Sequence, residues 1–243
     1  MIPKILHLCW ISGSSYPPLI DKCIASWRKI LPDYEIMLWD KERVLNIGSV
    51  WCNEAIDAGK YAFVADYVRL YAIYHYGGVY LDSDVECLKT IDGLLHLPYF
   101  VCLESPTRIE FGVIGSEPGC QWIKYCLSYY QHRHFVNPVG FYRMEAMPFT
   151  MERRLSKRYS LQEVDIRGTY TEAKKIIYHF PIAFCAHPNL FNQKATSDTF
   201  FIHYFAGTWV NTVREVEKRN FCQRVLFKLY LPARWIKHKL KKK

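Results

Sequence analysis

Eight consecutive residues, Gly77-Gly78-Val79-Tyr80-Leu81-Asp82-Ser83-Asp84, constrain this chain more than any other stretch. Residues 60–76 before them are long and periodic in apolar side chains, which predicts a helix. Paired glycines stop that helix, because glycine enters the left-handed backbone region without steric cost. Val79-Tyr80-Leu81 then makes a short buried strand, and Asp82 falls at its carboxyl end. A helix feeding such a strand is a unit of an open α/β sheet, where ligands bind beyond the carboxyl ends of the strands.

The rest of the chain supports that class. Residues 4–10 are an apolar run ending in Ser12-Gly13-Ser14-Ser15, a strand and then a loop. Residues 18–31 carry apolar side chains at 19, 20, 23, 24, 27, 30 and 31, a helical period that Pro32-Asp33 closes. Residues 34–39 read as a second strand, and strand–helix–strand predicts a mostly parallel sheet with flanking helices. Further strands are expected at 99–103, 111–114, 176–180 and 199–204, and a helix at 121–131. Residues 132–175 have weak periodicity and read as mixed helix and loop.

Composition narrows the setting. Half of the 243 residues are apolar, so the chain buries a core, and no run approaches the 18 apolar residues of a membrane-spanning helix. The opening Met1-Ile2-Pro3-Lys4 leaves no room for a signal peptide. Nine cysteines, an odd number without CxxC spacing, read as reduced, buried thiols of a cytoplasmic protein. The net charge of +9 is all in the tail: residues 214–243 hold eleven Lys/Arg and two Glu, and residues 1–213 are balanced. That argues against a nucleic-acid-binding core and for a tail that seeks an anionic surface.

Asp82 and Asp84 are the strongest candidates for chemistry. Two carboxylates at a strand end can hold a hard divalent cation, which in turn stabilises the charge of a leaving nucleoside diphosphate. Taken alone, an Asp-x-Asp is more economically read as a turn, which Asp and Ser favour. Asp66 and Arg69 upstream share one face of an otherwise apolar helix. They are either a surface ion pair of small worth or a carboxylate and a planar fork aimed at sugar hydroxyls and phosphate. Trp10 alone would be core packing, and His7 a hydrogen-bonded core residue. His132 and His134 lack companions at zinc spacing. Glu104 and Glu117 follow strand-like runs and read as surface turns, with a place near the sugar as the alternative.

These motifs together resemble glycosyltransferase family 32, the DXD-containing sugar transferases that include bacterial capsule and lipopolysaccharide enzymes. The opening at residues 2–13 is similar to the family's IPKIIHxxWxG start, and Ala65-Asp66-xx-Arg69 with Gly77-Gly78-xx-Leu81-Asp82-x-Asp84 matches its core. Val113-Ile114-Gly115-Ser116-Glu117-Pro118-Gly119 and the run His203 to Trp209 follow in order. The resemblance implies a GT-A-type fold, Mn²⁺ or Mg²⁺ as cofactor, and retention of anomeric configuration. It implies that Cys9 and Trp10 hold the nucleoside base and that Asp66 and Arg69 hold donor-sugar hydroxyls. It gives Asp82 to ribose or sugar and, through water, to the metal, and Asp84 to the metal directly. His203, Thr208 and Trp209 fall in the segment that closes over the diphosphate, with His203 a third metal ligand. Thr208 stands where the family has Ser. The family's middle Gly-Pro motif is replaced by Asn137-Pro138-Val139-Gly140-Phe141, so acceptor residues do not carry over.

The expected organisation is a catalytic domain over 1–213 and a basic amphipathic helical tail over 214–243. The tail reads as a docked helix with a solvated basic face or an interfacial anchor on anionic lipid, with nucleic acid the weakest reading because the body adds no positive charge. The reading is a transferase moving sugar from a nucleotide-sugar, UDP-sugar favoured, to a glycan or lipid-linked acceptor. It would act from the cytoplasm, peripheral on the inner membrane face, with no nucleic-acid partner. The rival is a non-catalytic carbohydrate- or membrane-surface-binding protein on a decayed transferase fold.

Overall fold

Side chains alternate across the first strand, β1 (Ile5–Cys9): Leu6 and Leu8 enter one buried apolar cluster, while His7 and Cys9 face the other. The helix α1 (Pro18–Ile30) begins with proline in its first turn and buries Ile20, Cys23, Ile24 and Trp27, the stripe its period predicts. β2 (Glu35–Trp39) follows and pairs parallel with β1. Two helices that the periodicity did not flag come next, α2 (Lys41–Leu45) and α3 (Val50–Asp57). They are capped by the side chains of Asp40 and Ser49.

The helix α4 (Tyr61–Tyr76) ends at Gly77, and β3 (Gly78–Leu81) returns parallel to β1. Gly77 and Gly78 have φ of +66° and +91°. A Cβ on Gly78 would lie 2.6 Å from the Ile5 carbonyl oxygen, so the glycine sets how closely β3 passes β1. β4 (Val85–Cys87) continues directly from the acidic turn.

The middle of the chain is more broken than the periodicity suggests. The expected strand over 99–103 divides into β5 (Tyr99–Phe100) and β6 (Leu103–Ser105), the latter paired with β7 (Arg108–Ile109). β8 (Val113–Ser116) lies two residues later than expected. The helix α5 (Gln121–Leu127) tightens into a 3₁₀ turn over Ser128–Tyr130. Within 132–175 the structure has α6 (Met147–Leu155) and a strand, β9 (Ser160–Glu163), which pairs with β10 (Ile176–His179). The chain then forms β11 (Cys185–Ala186), α7 (Pro188–Phe191) and β12 (Phe201–His203).

The central sheet runs β2-β1-β3-β8-β5. β8 is antiparallel to both neighbours, so four of the five strands point one way, a mixed α/β sheet with flanking helices. One face is covered by α3, α4, α5 and α6 around Trp51, Tyr80, Ile114 and Trp122. The other is covered by α1 and the small sheet β11-β12-β4, around Trp27, Phe180, Phe184 and Phe201.

This structure, a computed structural model, describes residues 1–206. Thr208, Trp209 and the basic run 214–243 lie outside the described residues. Among those described, no helix is long and apolar enough to cross a membrane, and all eight cysteines are free.

Candidate functional site

The turn after β3 is built by the backbone. The Val85 N–H donates to the Asp82 carbonyl at 2.9 Å, and the Asp82 N–H donates to the Gly112 carbonyl at 2.9 Å. Asp82 and Asp84 are thereby held on one side of a tight turn at the carboxyl edge of the sheet.

β12 completes the site from far along the chain. It pairs antiparallel with β4, with His203 opposite Val85, which sets the imidazole beside the turn. His203 Nε2 lies 3.3 Å from Asp84 Oδ1 and 3.9 Å from Asp82 Oδ2. One ligand atom from each of the three falls within 4.8 Å of the others. Asp84 is fixed further by the Ala206 N–H, which donates to Oδ2 at 2.8 Å.

Behind His203 sits a buried polar group that the sequence did not flag. Glu110 Oε1 meets His203 Nδ1 at 3.2 Å and accepts from the Gly112 N–H at 2.6 Å. Its other oxygen meets His187 Nε2 at 2.8 Å. Glu110 and His187 are 2% and 0% exposed. A carboxylate on the far nitrogen of a ligating histidine fixes the ring's orientation and raises its basicity. Burial opposes charge on His203, but Glu110 and Asp84 outweigh it and raise the imidazole well above its ordinary range. Burial likewise pushes Asp84 up, yet His203 and the Ala206 N–H leave it below the usual carboxylate range. Gly112 is where these parts meet. A Cβ there would come within 2.7 Å of Glu110 Oε1, 2.8 Å of His203 Cε1 and 2.9 Å of Asp82 Oδ2. Only the weak cue of an acid before Phe111-Gly112 points to Glu110 in sequence, and nothing local points to His187.

Arg69 occupies the opposite flank. Its guanidinium straddles Asp82, with Nη1 to Oδ2 at 3.3 Å and Nη2 to Oδ1 at 3.1 Å, and Nη2 also reaches Asp66 Oδ1 at 3.3 Å. Tyr80 donates its hydroxyl to Asp82 Oδ1 at 3.0 Å. The Asp66–Arg69 pair is thus no surface ion pair, since Arg69 is only 8% exposed. Burial lifts Asp66 to about 6 and also raises Asp82, against the pull of Arg69 on both.

Two of the other candidates lie within electrostatic reach of this cluster, Cys9 of Arg69, Asp82 and Asp66, and Glu104 of Glu110. Cys9, at the end of β1, has its thiol pushed up by burial. Trp10 donates its indole N–H to the Ser14 carbonyl at 2.8 Å and packs edge-on against Tyr16. His7 is a buried core residue. Glu104 is not at a surface turn: it is buried in β6, bonded to Arg108 at 2.7 Å, and burial beside Glu110 lifts it to about 7. Glu117 pairs with the N-terminal amine.

Residues 17–100 match the family described as "Glycosyltransferase sugar-binding region containing DXD motif". This stretch contains Asp66, Arg69, Asp82 and Asp84 and stops short of Glu110 and His203. The chain is similar to inositol phosphoceramide mannosyltransferase 3 of Schizosaccharomyces pombe, 35% identical over 49% of this chain and 34% of that protein. It is also similar to inositol phosphoceramide mannosyltransferase 2 of the same yeast, 27% identical over 87% of this chain and 59% of that protein. The matched part of the chain therefore spans about a third to somewhat over half of these relatives' own length. Among solved structures it resembles the PaToxG glycosyltransferase, with a TM-score of 0.47 at 17% identity, covering 64% of this chain and 69% of that one.

Proposed function

The chain belongs to the glycosyltransferase family with a DXD-containing sugar-binding region, and on that premise we propose that it transfers a sugar from a nucleotide-diphosphate donor to a glycolipid acceptor. One observation carries this reading: Asp82, Asp84 and His203 converge, with their ligand atoms within 4.8 Å. Two carboxylates and an imidazole suit a divalent cation, and the mixed oxygen–nitrogen set favours Mn²⁺ over Mg²⁺. The cation, when bound, would neutralise charge on the departing diphosphate.

The chain's own residues supply orientation. Glu110 keeps the His203 ring turned so that Nε2 faces the aspartates. Arg69 and Tyr80 lock the Asp82 carboxylate in place. Asp66, at the edge of this cluster, is available to a sugar hydroxyl. Cys9 and Trp10 lie at the end of β1, where a nucleoside base would rest.

In the transfer, the bond between the anomeric carbon and the diphosphate oxygen breaks, and an acceptor oxygen bonds to that carbon. The acceptor proton passes to the released diphosphate. We keep retention of configuration, with attack on the face the diphosphate leaves. The named relatives favour a sphingolipid-type acceptor over capsular polysaccharide or lipopolysaccharide. Peripheral attachment to an anionic membrane through residues 214–243 fits that acceptor.

The test is hydrolysis of UDP- and GDP-sugars by the full chain with and without Mn²⁺. Asp84→Ala should abolish metal-dependent turnover while the protein stays folded, because it removes a ligand and no core volume. A folded Asp84→Ala protein with undiminished activity would sink the site. A wild-type protein that hydrolyses none of the donors would return the chain to a binding role on a decayed transferase fold.

A further inference from the structure

A second polar site lies on the segment that precedes α6. Residues 135–143 form a small hairpin closed by the Val136–Tyr142 bridge. Asn137 shapes its tip: its Oδ1 accepts from the N–H groups of Val139 and Phe141 at 3.0 and 2.8 Å, and Gly140 turns the chain at φ +84°. The tip leaves Val139 75% and Phe141 48% exposed, an unusual cost for two apolar side chains side by side.

Behind the tip is a cleft of about 640 Å³ lined by Arg133 and Arg143, with His132, His134 and Tyr129. The Nε–H groups of both arginines are buried and have no hydrogen-bond partner. Neither guanidinium has an ion pair among the described residues. A buried donor left unmade asks for an acceptor that binds there. The cleft's one carboxylate, Glu54, is already engaged, by His134 Nδ1 at 2.6 Å and the Val136 N–H at 2.9 Å. Arg133 is held in place over the Tyr129 ring, 4.1 Å from its centroid. Two pre-positioned guanidinium groups without a counter-charge suit phosphate oxygens.

The cleft is also near the sugar site. Asp66 accepts a backbone hydrogen bond from Met147, and Arg143 is four residues earlier, at most about 15 Å of chain. Phe135, at the root of the hairpin, packs on Phe63 of α4 at 5.3 Å.

We propose that Arg133 and Arg143 bind the phosphate of a lipid headgroup, with Val139 and Phe141 dipping into the bilayer beside it. The hairpin is then the acceptor subsite, and it rests on the sugar-transfer reading for its purpose. Its tip is Asn137-Pro138-Val139-Gly140-Phe141, the stretch where the chain departs from the family's middle motif. A phosphate held there would present the rest of its headgroup toward Asp66.

The experiment reads binding, which needs neither donor nor metal, so it can fail while donor cleavage stands, and the reverse. Full-length protein is sedimented with phosphatidylcholine vesicles that contain or lack phosphatidylinositol. The basic tail is present in every variant, so differences report the hairpin. The R133Q/R143Q protein should bind phosphatidylinositol vesicles at least tenfold more weakly than wild type. Val139→Ser with Phe141→Ser, at exposed positions that cannot cost core packing, should weaken binding as well and serves if the arginine variant does not fold. Equal binding by wild type and both variants overturns the proposal. Soluble glycerophosphoinositol should displace the protein. Inorganic phosphate displacing it equally well would reduce the cleft to a free-phosphate site and overturn the lipid assignment.

Discussion

His7, in the central sheet, and His203, in the small sheet β11-β12-β4, are both buried imidazoles, yet their surroundings make opposite demands on them. His7 stands between two neutral groups. The Trp39 indole N–H donates to Nδ1 at 3.1 Å, which leaves Nε2–H to donate to the Gly77 carbonyl at 2.7 Å. With a donor on one nitrogen and an acceptor on the other, the neutral ring is fully satisfied. Burial then lowers its pKa to about 4. His203 is as deeply placed but sits among Glu110, Asp84 and Asp82, and its pKa is raised. Burial alone therefore decides neither charge nor role. The partners do, and only a ring facing several carboxylates is suited to a cation-binding site.

The comparison can be broken first through stability. His7 is neutral in the folded chain but has an ordinary pKa of 6.5 when unfolded, so the unfolded state binds more protons between those values. Its contribution is complete above pH 6.5 and is lost as pH falls toward about 4. The loss amounts to about 3 kcal/mol. Denaturant midpoints across this range should fall more steeply for wild type than for His7→Asn, which cannot titrate. Equal slopes would mean that His7 is not buried in its neutral form.

The next effect concerns the other histidine's surroundings. Gly112→Ala puts a methyl group against Glu110, His203 and Asp82 at once. Donor hydrolysis should fall about a hundredfold in kcat/KM, roughly 2.7 kcal/mol. A fully active alanine variant would show that these side chains can part without consequence. Glu110→Gln keeps the volume but removes the charge behind His203. Half-saturation by Mn²⁺ should require about ten- to a hundredfold more metal, the usual result of losing such a partner. A shift in melting temperature with no change in metal dependence would assign Glu110 to structure alone.

The smallest effect is at Arg69, whose fork grips both oxygens of Asp82. Arg69→Lys keeps the charge and loses the second bond, so kcat/KM should drop about tenfold, or 1.4 kcal/mol. No change would mean that Asp82 does not need to be held.

The sequence made the first half of this site readable because its signals are local. Gly77-Gly78 marks a helix stop, Val79 to Leu81 marks a buried strand, and Asp66 with Arg69 shares a helical face. The N-terminal strand–helix–strand was legible for the same reason, since each element carries its own period. Glu110 and His187 were not, because their meaning comes from contacts 93 and 77 residues apart in the chain. Glu104 was misplaced because a single glutamate after a short strand looks the same whether its side chain points outward or into the core. The short strands β6, β7 and β9 were missed or merged because two to four residues are too few for any period to show.

The placement of β12 has a consequence for how the molecule is made. Asp82 and Asp84 leave the ribosome early, but the imidazole that completes their cluster follows about 120 residues later, and its strand must still pair with β4. During synthesis the growing chain carries the two aspartates, of which Arg69 reaches Asp82, and no imidazole beside them. The three-residue cluster is therefore complete only after the last described strand has docked, and a chain ended before His203 would never assemble it.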